Sequence, residues 1–395
     1  MDSVTSEKTV LPSAEWRSRP GLARLAKVLG AGEARYVGGA VRDTLLGLDV
    51  ADIDIATRLQ PAEVIARLEG AGIKAVPTGI AHGTITAVSH GDVVEVTTLR
   101  RDVSTDGRRA TVAFTDDWRE DAARRDFTMN ALYADPATGE IFDWFGGLED
   151  LRAGRVRFIG DPRQRIAEDH LRILRFFRFH ARFGDAIDAE GLEACTDRAN
   201  DLMALSRERI AAELLRLLVA DNAVPVVALM IERGIFRPVL PEITDAGAFA
   251  ALAAHEAAEG VAPGAIRRLA ALIEPRDAEG VGARLKLSNA DRKRLQAAHE
   301  GPGGEGPRAL AYRVGPEIAI DRLLLAGESV AEIRDWTPPR LPIGGGEIVA
   351  HGVARGPEVA RLLRAVEKEW IARGFPGAEE TRAIADQLLR SRSSR

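Results

Sequence analysis

The chain has 395 residues, 46% of them hydrophobic, and a formal net charge of −5. That length calls for two to four domains with ample apolar content to bury, and the acidic balance excludes a protein that coats nucleic acid everywhere, so such a partner is held by a local basic face. A single cysteine, Cys195, excludes an internal disulfide framework and a cysteine-based zinc site, while the lack of an early apolar run and the charges Glu213, Arg216 and Asp221 within the most apolar stretch argue against an export signal or membrane span.

The strand signals all fall between residues 35 and 158. Residues 35–37 read as a short strand running into Gly38-Gly39-Ala40-Val41-Arg42-Asp43, a glycine turn followed by a helix start. Residues 51–55 read as a second strand, on which alternation aims Asp52 and Asp54 at one face. Paired glycines let backbone N–H groups approach a phosphate chain, and carboxylates two apart hold a divalent metal beside it. The combination points to nucleotidyl transfer. Residues 84–88 and 93–99 read as a hairpin around His90-Gly91-Asp92. Glu95 can face the same way as Asp52 and Asp54, where a third carboxylate orients an ion or takes a proton; on spacing alone it reads as an ordinary exposed strand glutamate.

Residues 103–120, polar and mixed in charge, read as a mobile loop over a nucleotide site. Arg124-Arg125-Asp126 then offers forked donors for phosphate and a carboxylate for ribose hydroxyls, or else a helix start in which Arg124 and Asp126 neutralise each other. A turn at 135–139 precedes the last strand signal, at 141–144. From Asp161-Pro162 onward the period is helical, with breaks at 184–185, 221–224, 260–264, 301–307 and 336–346. Residues 161–179 read as one amphipathic helix with Asp169, Arg172, Arg175 and Arg178 near one stripe and Leu171, Leu174 and Phe177 near another. Its arginines outnumber the acidic residues close by in sequence.

Taken in order, these motifs resemble the class II tRNA nucleotidyltransferases, the CCA-adding family, which shares its head and neck with bacterial poly(A) polymerases. The resemblance spans about residues 35–215. It implies an α+β fold, with a polymerase β-like nucleotidyltransferase head on a mixed β-sheet at 1–155, a helical neck at 156–222, a helical body at 223–307 and a helical, tRNA-binding tail at 308–395. It further implies Asp52 and Asp54 as ligands of two Mg²⁺ ions, and Glu95 as the third catalytic carboxylate, against the reading from spacing. Gly38, Gly39, Arg42 and Asp43 correspond to the nucleotide-binding turn, Arg125 and Asp126 to the ribose and phosphate motif. Glu168-Asp169-x-x-Arg172 matches the base-reading motif, with Arg175 and Arg178 as triphosphate contacts, and residues 205–210 match the element that buttresses the neck.

Cytosine and adenine both present an exocyclic amino group beside an unprotonated ring nitrogen, which Asp169 and Arg172 can satisfy together. Uracil and guanine present a carbonyl and a ring N–H, opposing acceptor to acceptor and donor to donor. The implied reaction is attack of the tRNA 3′-hydroxyl on the α-phosphate of CTP or ATP, with pyrophosphate leaving. Residues 78–86 resemble the CCA-adding pattern, whereas polymerase members tend to carry a Gly-Arg-Arg stretch nearby. No His-Asp dipeptide is present, so an appended phosphohydrolase is not expected, and Leu341-Pro342 stands where relatives often begin the tail with Phe-Pro. The alternatives are a poly(A) polymerase adding AMP to RNA 3′ ends and a non-catalytic RNA-binding relative. The expected partners are tRNA, CTP and ATP, with no membrane and no obligate protein partner, in the cytoplasm.

Overall fold

The structure is a computed structural model describing residues 9–106, 109–350 and 352–393. The chain forms two compact units, one running through Pro241 and one beginning at Glu242.

The strands of the first unit are β1 (Ala34–Val37), β2 (Asp54–Thr57), β3 (Lys74–Gly79), β4 (Thr84–Ser89), β5 (Asp92–Thr98), β6 (Arg100–Asp106), β7 (Arg109–Phe114), β8 (Tyr133–Ala134) and β9 (Ile141–Phe142). Its helices are α1 (Pro20–Leu29), α2 (Gly39–Leu45), α3 (Pro61–Gly70), α4 (Trp118–Ala123), α5 (Gly147–Arg152), α6 (Pro162–Glu168), α7 (Arg172–Phe183), α8 (Ala189–Asp197), α9 (Arg207–Leu218) and α10 (Ala223–Glu232). Seven strands make one mixed sheet in the order β3-β4-β5-β2-β1-β8-β9, with β2 and β5 parallel and the other neighbours antiparallel. This is the expected α+β head, and every described element from α6 onward is helical. The hairpin around His90-Gly91 is present, its two corner residues at φ 52° and 89° as a two-residue primed turn requires.

Three expectations are corrected. The second strand begins at Asp54 rather than residue 51, leaving Asp52 in the link before it. On one side the reason lies in β1: Val37 pairs with Asp54, and Gly38 then turns away at φ 69°, while on the other side pairing with β5 starts only at Asp54 and Glu95 although β5 itself begins at Asp92. The described part of 103–120 is not a loop: β6 and β7 form a separate two-stranded ribbon, followed by the start of α4, while residues 107–108 lie outside the described residues. A ribbon set by its own backbone ladder needs no apolar alternation, the signal by which strands are read. Residues 161–179 are two helices, because Asp169 is extended at φ −149°, ψ 105°. Its side chain accepts the Leu171 N–H at 3.1 Å and its carbonyl the Arg172 N–H at 3.0 Å, local bonds that compete with helix continuation.

α7 is fastened by aromatic packing to Phe127 of the head and to Phe158 just beyond its end. Phe176 stacks on Phe158 at 5.6 Å between centroids and meets Phe177 edge-on, and Phe179 lies 5.3 Å from Phe127. Ile173, Leu174, Phe176, Phe177 and Phe179 are buried, and the arginines of α7 keep access to solvent along one row, with His180 and Phe183 partly exposed beside them.

The second unit contains α11 (Gly247–Ala258), α12 (Ala265–Ala270), α13 (Ala278–Arg284), α14 (Asn289–Ala298), α15 (Pro307–Val314), α16 (Pro316–Leu325), α17 (Gly345–Ala350), α18 (Pro357–Ala372) and α19 (Ala378–Ser393). One core gathers Leu252, Leu310, Leu323 and Ile333, another Ile348, Val366 and Trp370. The buried Glu256 takes Arg267 and Arg268, each at 2.7 Å, and the buried Asp321 takes Arg267 at 3.0 Å and Arg294 at 2.6 Å. Buried charges persist only when paired in this way.

Truncating the stacked ring tests the α7 seam. Phe176→Ala is expected to lower the unfolding free energy by about 3–5 kcal/mol in urea titration, and a loss under about 1 kcal/mol contradicts a packed seam.

Candidate active site

The glycine turn follows directly from β1 pairing. Gly38 adopts φ 69°, and a side chain there is strained whatever the space around it. Its N–H donates to the Leu132 carbonyl at 3.2 Å, and its own carbonyl accepts the Arg42 N–H at 3.0 Å, so the turn opens α2. The first-turn N–H groups of a helix lack intrahelical acceptors, which is what a phosphate cradle uses. The Nη1 of Arg125 lies 3.4 Å from where a Gly38 Cβ would be. A larger residue in this turn therefore crowds a guanidinium already placed at it.

Register sets the carboxylates. Val37 sits opposite Asp54, and Asp54 opposite Glu95 on the parallel neighbour β5. Asp52 and Asp54 are exposed while Ile53 and Ile55 between and after them are buried, so the expected common face holds although Asp52 lies outside the strand. Asp52, Asp54, Glu95 and Asp92 line one cavity of 680 Å³ together with Arg19. Asp92 was not singled out from the sequence; Arg19 is 3.6 Å from it. The Asp54 carboxyl is held above its ordinary value, first by the desolvating walls and then by Glu95 and Asp52, with Arg125 opposing. Repulsion of this kind is what a divalent cation relieves. Among the described residues no group of three His, Cys, Asp or Glu is arranged to hold a metal ion. A pair of carboxylates still fits Mg²⁺, which commonly takes one or two from protein and the rest of its shell from substrate phosphates and water.

Arg42 and Asp43 point at each other: Nε and Nη2 of Arg42 meet Asp43 Oδ1 at 2.8 and 2.7 Å. Asp43 thus orients Arg42, with Arg182 3.8 Å from its other oxygen. Arg42 Nη1 donates to Asn130 Oδ1 at 2.6 Å, and Asn130 Nδ2 donates to Asp126 Oδ1 at 2.9 Å. Asp126 Oδ2 in turn takes Nε of Arg175 at 2.8 Å and its Nη2 at 2.5 Å. Burial alone would raise the Asp126 carboxyl, but Arg175, Asn130 and the Phe127 N–H hold it below its ordinary value. The local Arg124–Asp126 pair does not form; Arg124 and Arg125 both bind Asp121, at 2.8 and 3.3 Å. Tyr133 donates its hydroxyl to Asp121 at 2.5 Å. Burial pushes Asp121 up, yet Arg125, Arg124 and that hydroxyl outweigh it and bring the carboxyl to about 2. The expected ribose acceptor Asp126 is therefore engaged as the link between head and neck.

The neck row is also paired. Arg172 Nη1 donates to Glu168 at 2.7 Å and its Nη2 to the Arg124 carbonyl at 3.0 Å, and Arg178 Nε meets Glu213 at 2.5 Å. The apparent excess of arginine on α7 is thus met by acids from other elements, Asp126 and Glu213, invisible to local spacing. Asp169 is gripped by Arg209 of α9, whose Nη2 is 3.0 and 2.9 Å from the two oxygens. Asn130, Glu213 and Arg209 are the members that sequence reading did not assign; Arg209 lies in the buttress motif, and only the fold brings it to Asp169.

A glycine turn beside strand carboxylates, joined to a helical turn that presents a carboxylate and a guanidinium, defines a nucleotidyltransferase head and neck. Residues 34–157 match the family model of the poly A polymerase head domain, and residues 186–246 that of the "probable RNA and SrmB-binding site of polymerase A". The mitochondrial CCA tRNA nucleotidyltransferase 1 of Mus musculus is 36% identical over 380 residues, covering 90% of this chain and 86% of the relative. That of Homo sapiens is 35% identical over 366 residues, covering 87% and 84%. The solved Bacillus stearothermophilus CCA-adding enzyme in complex with CTP superposes with a TM-score of 0.69 at 26% identity, covering 95% of this chain and 99% of that one. The chain belongs to the CCA-adding branch of the tRNA nucleotidyltransferase and poly(A) polymerase family.

Because Asp54 is held above its ordinary value, its charge costs stability once pH exceeds that value and costs nothing below the unfolded one. Asp54→Asn is expected to raise the thermal midpoint at pH 7 without divalent ion, the difference fading as pH falls below the carboxylate range. Mg²⁺ is expected to raise the midpoint of the unsubstituted protein and not of the variant; equal Mg²⁺ shifts contradict the assignment. Arg209→Ala frees the Asp169 carboxylate and is expected to raise KM for CTP and ATP about tenfold, as loss of a charge-assisted pair does, measured by steady-state nucleotide titration.

Proposed function

We propose that the protein adds C, C and A in turn to the 3′ end of tRNA from CTP and ATP, without a nucleic-acid template, releasing pyrophosphate. The observation that carries the proposal is the assembly, in one compact unit, of the glycine turn, the Asp54/Glu95 pair and the Asp169–Arg172 turn, connected through Arg42, Asn130, Asp126 and Arg175. Relatives matching over most of both chains carry the name CCA tRNA nucleotidyltransferase.

The glycine turn at Gly38 and Gly39 and the forked donor Arg42, oriented by Asp43, receive the triphosphate. Arg125, at the turn and beside Asp54, adds a second cation where negative charge develops. Arg175 and Arg178 lie further along the same phosphate path. Glu95 steers the proton leaving the attacking 3′-hydroxyl. Asp169 accepts the exocyclic amino group of cytosine or adenine and Arg172 donates to the ring nitrogen; uracil and guanine leave both side chains opposed to like groups. Asp52 and Asp54 would hold Mg²⁺, two ions in this reading, which when bound supplies charge stabilisation to the entering and departing oxygens. Head (1–155) and neck (156–222) perform the chemistry and the base choice, while body (223–307) and tail (308–395) grip the tRNA.

No helix among the described residues is long and apolar enough to cross a membrane. The lone Cys195 is buried and unpaired, which suits a reducing compartment; the cytoplasm is our reading, although the mouse and human relatives are named mitochondrial.

The test uses tRNA transcripts lacking CCA, CA or the final A, with Mg²⁺ and labelled CTP or ATP supplied separately. CTP is expected on the first two and ATP only on the last; indiscriminate A-tailing of any RNA indicates poly(A) polymerase instead, and inactivity on all substrates a non-catalytic RNA binder. Asp52→Ala is expected to reduce addition by at least ~10²-fold while tRNA affinity stays within twofold, as filter binding reads. Asp169→Ala is expected to let UTP compete with CTP, and retained discrimination contradicts the protein-template reading.

A further inference from the structure

A cavity of 410 Å³ on the neck is lined by Arg178 and Arg182 from α7 and by Arg216, Val219, Ala220 and Asp221 from the end of α9 and the link beyond it. Its wall is fixed by the backbone, since the Asn222 N–H donates to the Ala181 carbonyl at 2.9 Å. Arg182 and Arg216 both sit in the last turns of their helices, where the dipole favours cations. That accounts for their positions along each helix but not for their convergence on one hollow.

Charge is unbalanced there. Glu213 is shared by three guanidiniums, those of Arg178 at 2.5 Å, Arg216 at 3.7 Å and Arg175 at 3.8 Å. Asp43 is likewise shared between Arg42 and Arg182. The side chains of Arg182 and Arg216 are 46% and 68% exposed, so their donors remain available to a ligand from solution. The hollow adjoins the phosphate-binding turn: the Phe183 ring is in contact with both Arg42, at 4.5 Å, and Arg182, at 4.8 Å, and Arg182 lies 3.8 Å from Asp43 of that turn. Arg182 stands ten residues beyond Arg172, roughly 15 Å along the helix axis, too far to read the same base edge.

We propose that Arg182 and Arg216 form a phosphate subsite beside the nucleotide site, taking either a backbone phosphate of the RNA 3′ strand or the distal phosphates of the incoming nucleotide. The proposal rests on the functional reading above and extends it to two residues outside the family motifs. Planar forks at a partly enclosed hollow suit phosphate oxygens; three arginines line it against one acid, Asp221, and the acids next to it, Glu213 and Asp43, are each shared among several guanidiniums. Binding there brings negative charge to a cluster of like charges and offsets their repulsion.

The experiment uses the full chain with Arg182→Gln and Arg216→Gln combined, and a second variant with lysine at both positions. An RNA source predicts about tenfold weaker binding of tRNA lacking CCA, with the slope of log affinity against log salt reduced by about 1–2. A nucleotide source predicts about tenfold higher KM for both CTP and ATP, with kcat and the preference for CTP over UTP unchanged. In either case lysine restores part of the loss, because it keeps the charge but not the planar fork. Unchanged tRNA affinity, salt slope and KM overturn the subsite; so does a loss that lysine does not recover and that follows a lowered thermal midpoint, which marks a structural role. Ordered addition by the unsubstituted protein checks the functional reading separately, since its failure there condemns that reading and leaves the binding measurements to judge the subsite.

Discussion

The rest of the site depends on one pair, the buried Asp126 of the head with the partly buried Arg175 of α7. A carboxylate removed from water is tolerated only when its lone pairs are filled, and here Arg175, Asn130 and the Phe127 N–H fill them. Asn130 passes the constraint on to Arg42 at the glycine turn, while Phe176 and Phe179 press the same helix onto Phe158 and Phe127. The apolar seam supplies most of the adhesion, being non-directional and proportional to area. The polar chain supplies the register, because hydrogen bonds and ion pairs tolerate little displacement. Together they hold the phosphate-binding turn at a fixed offset from the residues proposed to read the base.

Both members of that proposed reader are held from behind. Glu168 and the Arg124 carbonyl hold Arg172, and Arg209 holds Asp169. Fixing two side chains before substrate arrives removes the entropy cost of ordering them at binding. It also makes rejection steep, since a side chain that cannot swing aside leaves a uracil carbonyl facing a carboxylate. The lone pairs leave room for reading: Oδ1 accepts from Leu171 and Arg209, Oδ2 from Arg209. An ionised carboxylate offers about four acceptor directions, so one remains for an exocyclic amino group.

Much of this was legible in the residues themselves. Gly38-Gly39 and the Asp52-x-Asp54 spacing marked the turn and the carboxylates, because both are local patterns whose geometry follows from chain stereochemistry. The 90–91 corner, the helical period after Pro162 and its interruptions likewise report local preferences. Three features lay beyond that reach. Strand β6 of the ribbon has a single apolar residue, Val103, among 100–106, and its pairing with β7 rests on backbone bonds. The break at Asp169 arises from side-chain and backbone bonds that compete with a helix whose spacing looked continuous. The partners of the arginine row, Asp126 and Glu213, and the grip of Arg209 on Asp169 join elements 35 to 49 residues apart, a distance over which one sequence holds no pairing information.

The most direct test of the account is a crystal structure of the protein with CTP and a tRNA ending before CCA. The account predicts the cytosine amino group on Asp169, its ring nitrogen on Arg172, the triphosphate along the glycine turn and Arg42, and the Asp126–Arg175 pair unbroken. A base bound away from Asp169 and Arg172, or a neck helix that has parted from Asp126 to admit the nucleotide, contradicts it.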